Sequence, residues 1–194
     1  MNIHALLARI LFGVLIFGLL GPAMSRAQEK EAEGDFGPLL KVLPQSKHTL
    51  ADGIRQVIKS TEVPISAKFE LDDNGKLSLS VYTAEKGLTT DAEQNILKEL
   101  SGSPEAAAWN PEVEVFKDPG HLKRAAEQQT LMALSSMSLL DVIAKAQKQQ
   151  RGTVFSVTPV VLNHQPKLDV LVADNGRVTE LAYDLWGNIV RSQK

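Results

Sequence analysis

Two stretches of this 194-residue sequence carry the same succession of start signal, helical period and alternating period, 89 to 91 positions apart. Thr49-Leu50-Ala51-Asp52-Gly53-Ile54 matches Ser138-Leu139-Leu140-Asp141-Val142-Ile143. Each begins with a hydroxyl residue followed three positions later by an acid. That is a capping-box-like start, with the carboxylate also favoured by the positive end of the helix dipole. Apolar residues follow at helical spacing, Leu50, Ile54, Val57 and Ile58 in one segment and Leu139, Val142, Ile143 and Ala146 in the other. Each helix therefore has one face to bury.

After each helix the period falls to two. Phe69 and Leu71 alternate with polar neighbours, Asp72-Asp73-Asn74-Gly75 turns the chain, and Leu77, Leu79 and Val81 resume the alternation. Asn-Gly between alternating runs signals a hairpin, because both residues tolerate positive φ. In the second segment Val154 to Leu162 leads to a turn at Asn163-His164-Gln165-Pro166, and Lys167 to Val172 returns. Asp174-Asn175-Gly176-Arg177 then opens a further strand from Val178 to Tyr183, closed by Asp184-Leu185-Trp186-Gly187-Asn188. Between the segments, Thr90 and Glu93 start a short helix with Ala92, Ile96 and Leu100 on one face, ended by Gly102. A Pro-rich loop spans 103–111, Glu112 to Phe116 alternates as a strand, and Asp118-Pro119 opens a helix running to about Ser136.

The expected fold is α+β: two repeated units, residues 48–137 and 138–194, each a helix packed on a small antiparallel sheet, with extra helices between them. Residues 28–47 form a lead-in, acidic over Glu29 to Asp35 and apolar over Phe36 to Leu43.

Residues 1–27 read as a secretory signal peptide. Arg9 supplies the positive flank, Ile10 to Leu20 is an uninterrupted apolar run, Gly21-Pro22 breaks it, and Ser25-Arg26-Ala27 places small residues where a signal peptidase inspects them. Cleavage falls between Ala27 and Gln28, with Ala23 as a second choice; an uncleaved anchor is disfavoured because the run has about half the ~20 residues that span a bilayer. Removing this segment takes Arg9 and Arg26 with it, leaving 19 basic residues against 23 acidic ones and a net charge of −4. That balance gives no reason to expect a nucleic-acid partner. The sequence has no cysteine. Disulfides, thiolate zinc sites, a cysteine nucleophile and a thioether-linked lipid are thereby excluded. Export without disulfides points to a bacterial envelope protein, periplasmic or secreted.

The helix Ser138-Leu139-Leu140-Asp141-Val142-Ile143-Ala144-Lys145-Ala146, the turn at Gly152 and the ending Tyr183-Asp184-Leu185-Trp186-Gly187-Asn188-Ile189-Val190 resemble the PepSY domain. This domain occurs in propeptides of thermolysin-type metalloproteases and in many bacterial envelope proteins. The resemblance covers 138–190 well and 49–82 weakly. It implies small α+β modules that restrain peptidases or bind envelope partners, and it brings no catalytic residue with it.

Catalytic signatures are missing. His48, His121 and His164 are scattered without ligand spacing, and there is no phosphate-cradling loop, nucleophile elbow or dinucleotide fingerprint. Asp72-Asp73-Asn74-Gly75 lacks the closing glutamate of a calcium loop. No catalytic, cofactor or metal residue is therefore assigned. Trp109 and Trp186, both in or beside loops, are the candidate partner contacts, against the alternative that each packs over an end of the sheet. The leading expectation is a non-catalytic envelope protein that binds another protein, for instance by pairing a sheet edge with an extended segment. Modulation of a secreted or periplasmic peptidase is the narrower alternative, and an enzyme with an unrecognised site the second. Expressed in a bacterial host that exports it, the chain is expected to begin at Gln28, read by intact mass and N-terminal sequencing; a product retaining residues 1–27 contradicts this.

Overall fold

The computed structural model describes residues 35–60 and 62–190. The segment read as a signal peptide, the junction Ala27/Gln28 and residues 28–34 of the lead-in lie outside them. The elements run α1 (Gly37–Val42), α2 (Leu50–Lys59), β1 (Val63–Leu71), β2 (Leu77–Ala84), β3 (Leu97–Gly102), β4 (Glu112–Val115), α3 (Pro119–Leu134), α4 (Leu139–Gln149), β5 (Thr153–Leu162), β6 (Gln165–Asp174) and β7 (Arg177–Tyr183). A single turn of 3₁₀ helix, Leu43–Gln45, follows α1.

All seven strands form one sheet in the order β4-β3-β2-β1-β5-β6-β7, every neighbour antiparallel. The fold is α+β. The succession α2-β1-β2-β3 is followed by α4-β5-β6-β7 in the same order, and β1 meets β5 at the centre. Both helix starts are complete capping boxes: Thr49 with Asp52, and Ser138 with Asp141. Each central strand carries a β-bulge, between Pro64 and Ser66 in β1 and between Val154 and Ser156 in β5, 90 residues apart.

The alternation of the strands decides what lies on each face. Ala67 pairs with Val81 and Val157, Phe69 with Leu79, and Val157 with Val170. This apolar face receives α2 and α4; Gly53 of α2 sits so close to Leu79 and Val81 that an added Cβ would fall 2.9 Å from Leu79 Cδ2. Leu139, Val142, Ile143 and Ala146 are the buried residues of α4, the four expected from the period. The opposite face carries Ser66, Lys68, Glu70, Ser80, Tyr82 and Glu99, and α3 crosses it: Ser66 Oγ donates to Gln128 Oε1 at 2.8 Å, and Phe116 lies between Tyr82 and His121.

Two expectations are corrected. Residues 90–100 do not form a helix. The chain turns over Asp91–Asn95, and Leu97–Gly102 is strand β3, paired with β2 along six residues. Asn95 closes that connection by accepting from the backbone N–H groups of Lys86 and Ile96 and donating to Gly87 O. Leu97 and Leu100, apart by a helical interval, are buried instead from a strand, so pairing with β2 overrides a pattern of only three apolar positions. The apolar half of the lead-in is part of the body: Leu39 and Leu43 are core residues and Phe36 meets Phe155 edge-on at 5.4 Å. Trp109 is core as well, 2% exposed, with its indole N–H donating to Gly102 O.

Gly152 enters β5 with φ of +125°, and a Cβ there would lie 2.3 Å from Ala173 O, a backbone atom that cannot step aside. Gly152→Ala is therefore expected to destabilise by about 3 kcal/mol or more. Urea unfolding followed by circular dichroism measures it, and a loss below ~1 kcal/mol contradicts the assignment.

A candidate docking groove at one end of the sheet

At the end of the sheet where β1 begins and β2 finishes, the C-terminal part of α2, the end of α3 and the start of α4 leave an apolar groove of about 470 Å³. Its apolar lining includes Ile54 and Ile58 of α2, Met132 of α3, Met137 and Leu140 around the start of α4, and Pro64 and Leu88. Ile58 completes the apolar stripe of α2 but is 46% exposed, so part of the stripe faces this space instead of the core. The volume lies within the range of ligand and side-chain pockets in proteins.

Polar groups along the groove are already engaged inside the chain. Ser135 Oγ bonds Leu185 O at 3.0 Å, Ser136 Oγ bonds the same carbonyl at 3.3 Å, and Ser138 Oγ donates to Asp141. Glu62 accepts from Lys98 Nζ at 2.8 Å and from Thr83 Oγ1 at 2.7 Å. Lys98 is also paired with Glu85; burial pulls its pKa down, but its hydrogen bonds to the two carboxylates more than offset that and raise it. The groove therefore offers an occupant apolar surface and contact, with little hydrogen bonding.

Trp186 stands beside this site, 70% exposed, on a turn that the protein holds firmly. Asp184 Oδ1 accepts from the backbone N–H of Trp186 at 2.9 Å and of Asn188 at 2.8 Å, while Oδ2 accepts from Asn188 Nδ2. Partial burial raises the Asp184 pKa, and these hydrogen bonds outweigh it and bring it below the usual carboxylate range. Lys145 Nζ donates to Gly187 O from α4, and Ser136 N donates to Leu185 O at 2.9 Å. Gly187 has φ of +83°, and a Cβ there would press on Met137 Sδ, one of the groove residues. Leu134, at the end of α3, is 64% exposed next to the same segment.

Of the two tryptophans picked out by sequence, the fold brings only Trp186 to this region; Trp109 lies over β3, where Gln56 of α2 donates to its carbonyl. The histidines remain apart. His48 Nε2 bonds Ala106 O, His121 Nδ1 lies 2.6 Å from Asp118 Oδ2 and stacks on Phe116, and His164 sits in the β5–β6 turn with φ of +60°. Among the described residues no group of three or more His, Asp or Glu is arranged to hold a metal. Sequence reasoning missed the groove, because it is made by three helix ends that meet only in the folded chain. The exposed Ile58 within a buried stripe has no signature of its own in the period.

The polar sheet face carries one perturbed acid on the β6–β7 side. Asp169 is half-buried opposite Thr158 and Ala182, with Glu180 and Lys167 beside it and Oδ1 without a hydrogen-bond partner. Burial, followed by repulsion from Glu180, pushes its carboxyl up to about 7.

No family model matches the sequence, and no curated protein matches it. Among solved structures, the chain is similar to a protein of Clostridium difficile 630 named as a candidate lipoprotein, at 15% identity and a TM-score of 0.37, covering 75% of this chain and 92% of that one.

Because the folded state holds the Asp169 proton more tightly than the unfolded chain, whose carboxyl titrates near 3.9, stability falls as pH rises from about 4 to about 7 and is level beyond. Asp169→Asn removes that slope. At pH 8 it is expected to stabilise by about 1–3 kcal/mol and at pH 4 to change little, measured by urea unfolding across pH. An equal effect at both pH values contradicts the assignment.

Proposed function

We propose that this chain is an exported, non-catalytic, PepSY-like protein of the bacterial envelope, periplasmic or secreted, that works by binding another protein through the groove and Trp186. The observation that carries the reading is an exposed tryptophan fixed by Asp184, Lys145 and the Ser135–Ser136 segment beside an apolar groove. Large exposed apolar side chains on a rigid support mark docking sites, since little conformational entropy is lost when they are covered. Leu134, just before the segment that carries Met137, and Ile58, in the groove lining, are further exposed apolar side chains. The pattern of residues 1–27 supports the location, and the lack of a recognisable catalytic signature in the sequence supports the class.

A photo-crosslinking residue at Trp186 is expected to give a discrete adduct with an envelope protein, and the same residue at Arg177, the first residue of β7, is not. Leu134→Ser should reduce the adduct several-fold while leaving the melting curve in place. Adducts of equal yield from both positions would remove the reading. Restraint of a secreted or periplasmic metalloprotease is its narrower form; unchanged protease activity with the protein in excess removes that form and leaves docking intact.

A further inference from the structure

The sheet has one edge strand whose outer side is open along its whole length among the described residues. Strand β4 pairs with β3 on its inner side, Glu114 opposite Glu99 and Val113 opposite Leu100, and ends the strand order. Phe116 N donates to Leu97 O, so the inward N–H groups are those of the even-numbered residues. The N–H and C=O groups of Val113 and Val115 consequently point outward, a short template for another strand. Their side chains are 58% and 44% exposed on one face. On the other face Glu112 and Glu114 stand together, and Glu114 lies directly across from Glu99. Lys68, whose charge acts on Glu99 from β1, is held by Glu70 at 2.6 Å. Burial and the nearby Glu70 and Glu114 raise the Glu99 pKa, with a hydrogen bond to Ser80 opposing them.

The same pattern disfavours a second copy of this chain. Antiparallel pairing of β4 with itself sets glutamate against glutamate in one set of registers and glutamate against valine in the other. Like charges directly opposite each other destabilise a pair.

We propose that the outer edge of β4 receives, as an eighth strand, an extended polypeptide segment in which basic and apolar residues alternate. Main-chain bonds to Val113 and Val115 would hold it, its apolar residues would lie beside these valines, and its basic residues beside Glu112, Glu114 and Glu99. The inference rests on the protein-binding reading only in taking a polypeptide as the occupant. Its surface is separate from the groove.

The test uses the chain lacking residues 1–27 and three end-blocked, fluorescein-labelled octapeptides at physiological ionic strength, read by anisotropy. One alternates lysine and valine, one has the same composition as four lysines followed by four valines, and one alternates glutamate and valine. The alternating lysine–valine peptide is expected to bind about tenfold more tightly than either other, two cross-strand charge pairs being worth roughly that factor. Val113→Pro deletes an outward N–H without breaking a bond to β3, and should abolish binding with the melting curve unchanged. The double variant Glu112→Lys with Glu114→Lys should reverse the preference toward the glutamate peptide, which keeps the test decisive if the proline variant does not fold. Trp186→Ala should leave peptide binding as it was, so loss of the groove reading and loss of this one are told apart. Equal binding of the block isomer, no binding of any peptide, or a dimer through β4 in sedimentation velocity would overturn the proposal.

Discussion

The join between β1 and β5 is the contact on which the rest of the molecule depends. It is a short seam: Ala67 opposite Val157 and Lys68 opposite Ser156. Two residue pairs are too few to hold a four-stranded half and a three-stranded half together by main-chain bonding, each such bond contributing about 1 kcal/mol net. Packing across the seam supplies the rest. Ile65, Ala67, Phe155 and Val157 are each almost fully buried, and α2 and α4 touch above them. Both bulges flank this line, and bulges increase local twist, which lets two halves of a long sheet wrap one core instead of lying flat. One continuous hydrophobic cluster results, running from Leu39 to Leu185.

The two faces of the sheet have different work. One is apolar and covered by α2 and α4. The other is polar, carries carboxylates at Glu70, Glu99, Glu114, Asp169 and Glu180, and is crossed by α3. To pass from that face to α4, the chain must turn around the end of the sheet between Leu134 and Ser138. The groove, Leu134 and the Trp186 turn all gather at this passage, because the turn after β7 is the nearest element that can satisfy the backbone there. Ser135 and Ser136 both bond Leu185 O for that reason. An apolar groove thus arises where the fold changes face.

Sequence patterns gave reliable access to whatever was local. The capping boxes at Thr49 and Ser138, the hairpin at Asp72–Gly75, the strand after Pro111 and the helix behind Asp118-Pro119 all stand as expected, since caps and turn residues act within four or five positions. The stretch 90–100 failed because three apolar residues at helical spacing are weak evidence beside a free strand edge waiting on β2. Trp109 and Trp186 look alike in sequence, each near a loop with small or turn residues. Only the folded chain separates them: Gly102 gives Trp109 a place to lie and a carbonyl to bond, whereas the Asp184 turn directs Trp186 outward.

The sequence by itself determined the class of fold, the order of most elements and the chemistry excluded by the missing cysteines. Tertiary structure decided that both halves share one sheet, that β4 ends it, among the described residues, with an open acidic edge, and that the end of α2 meets α3 and α4 in a groove. The physical reason is range. Caps, turns and periods are fixed by neighbours a few residues away, while a face, an edge and a groove are defined by residues distant in sequence, whose meeting depends on which surfaces the whole chain could bury together.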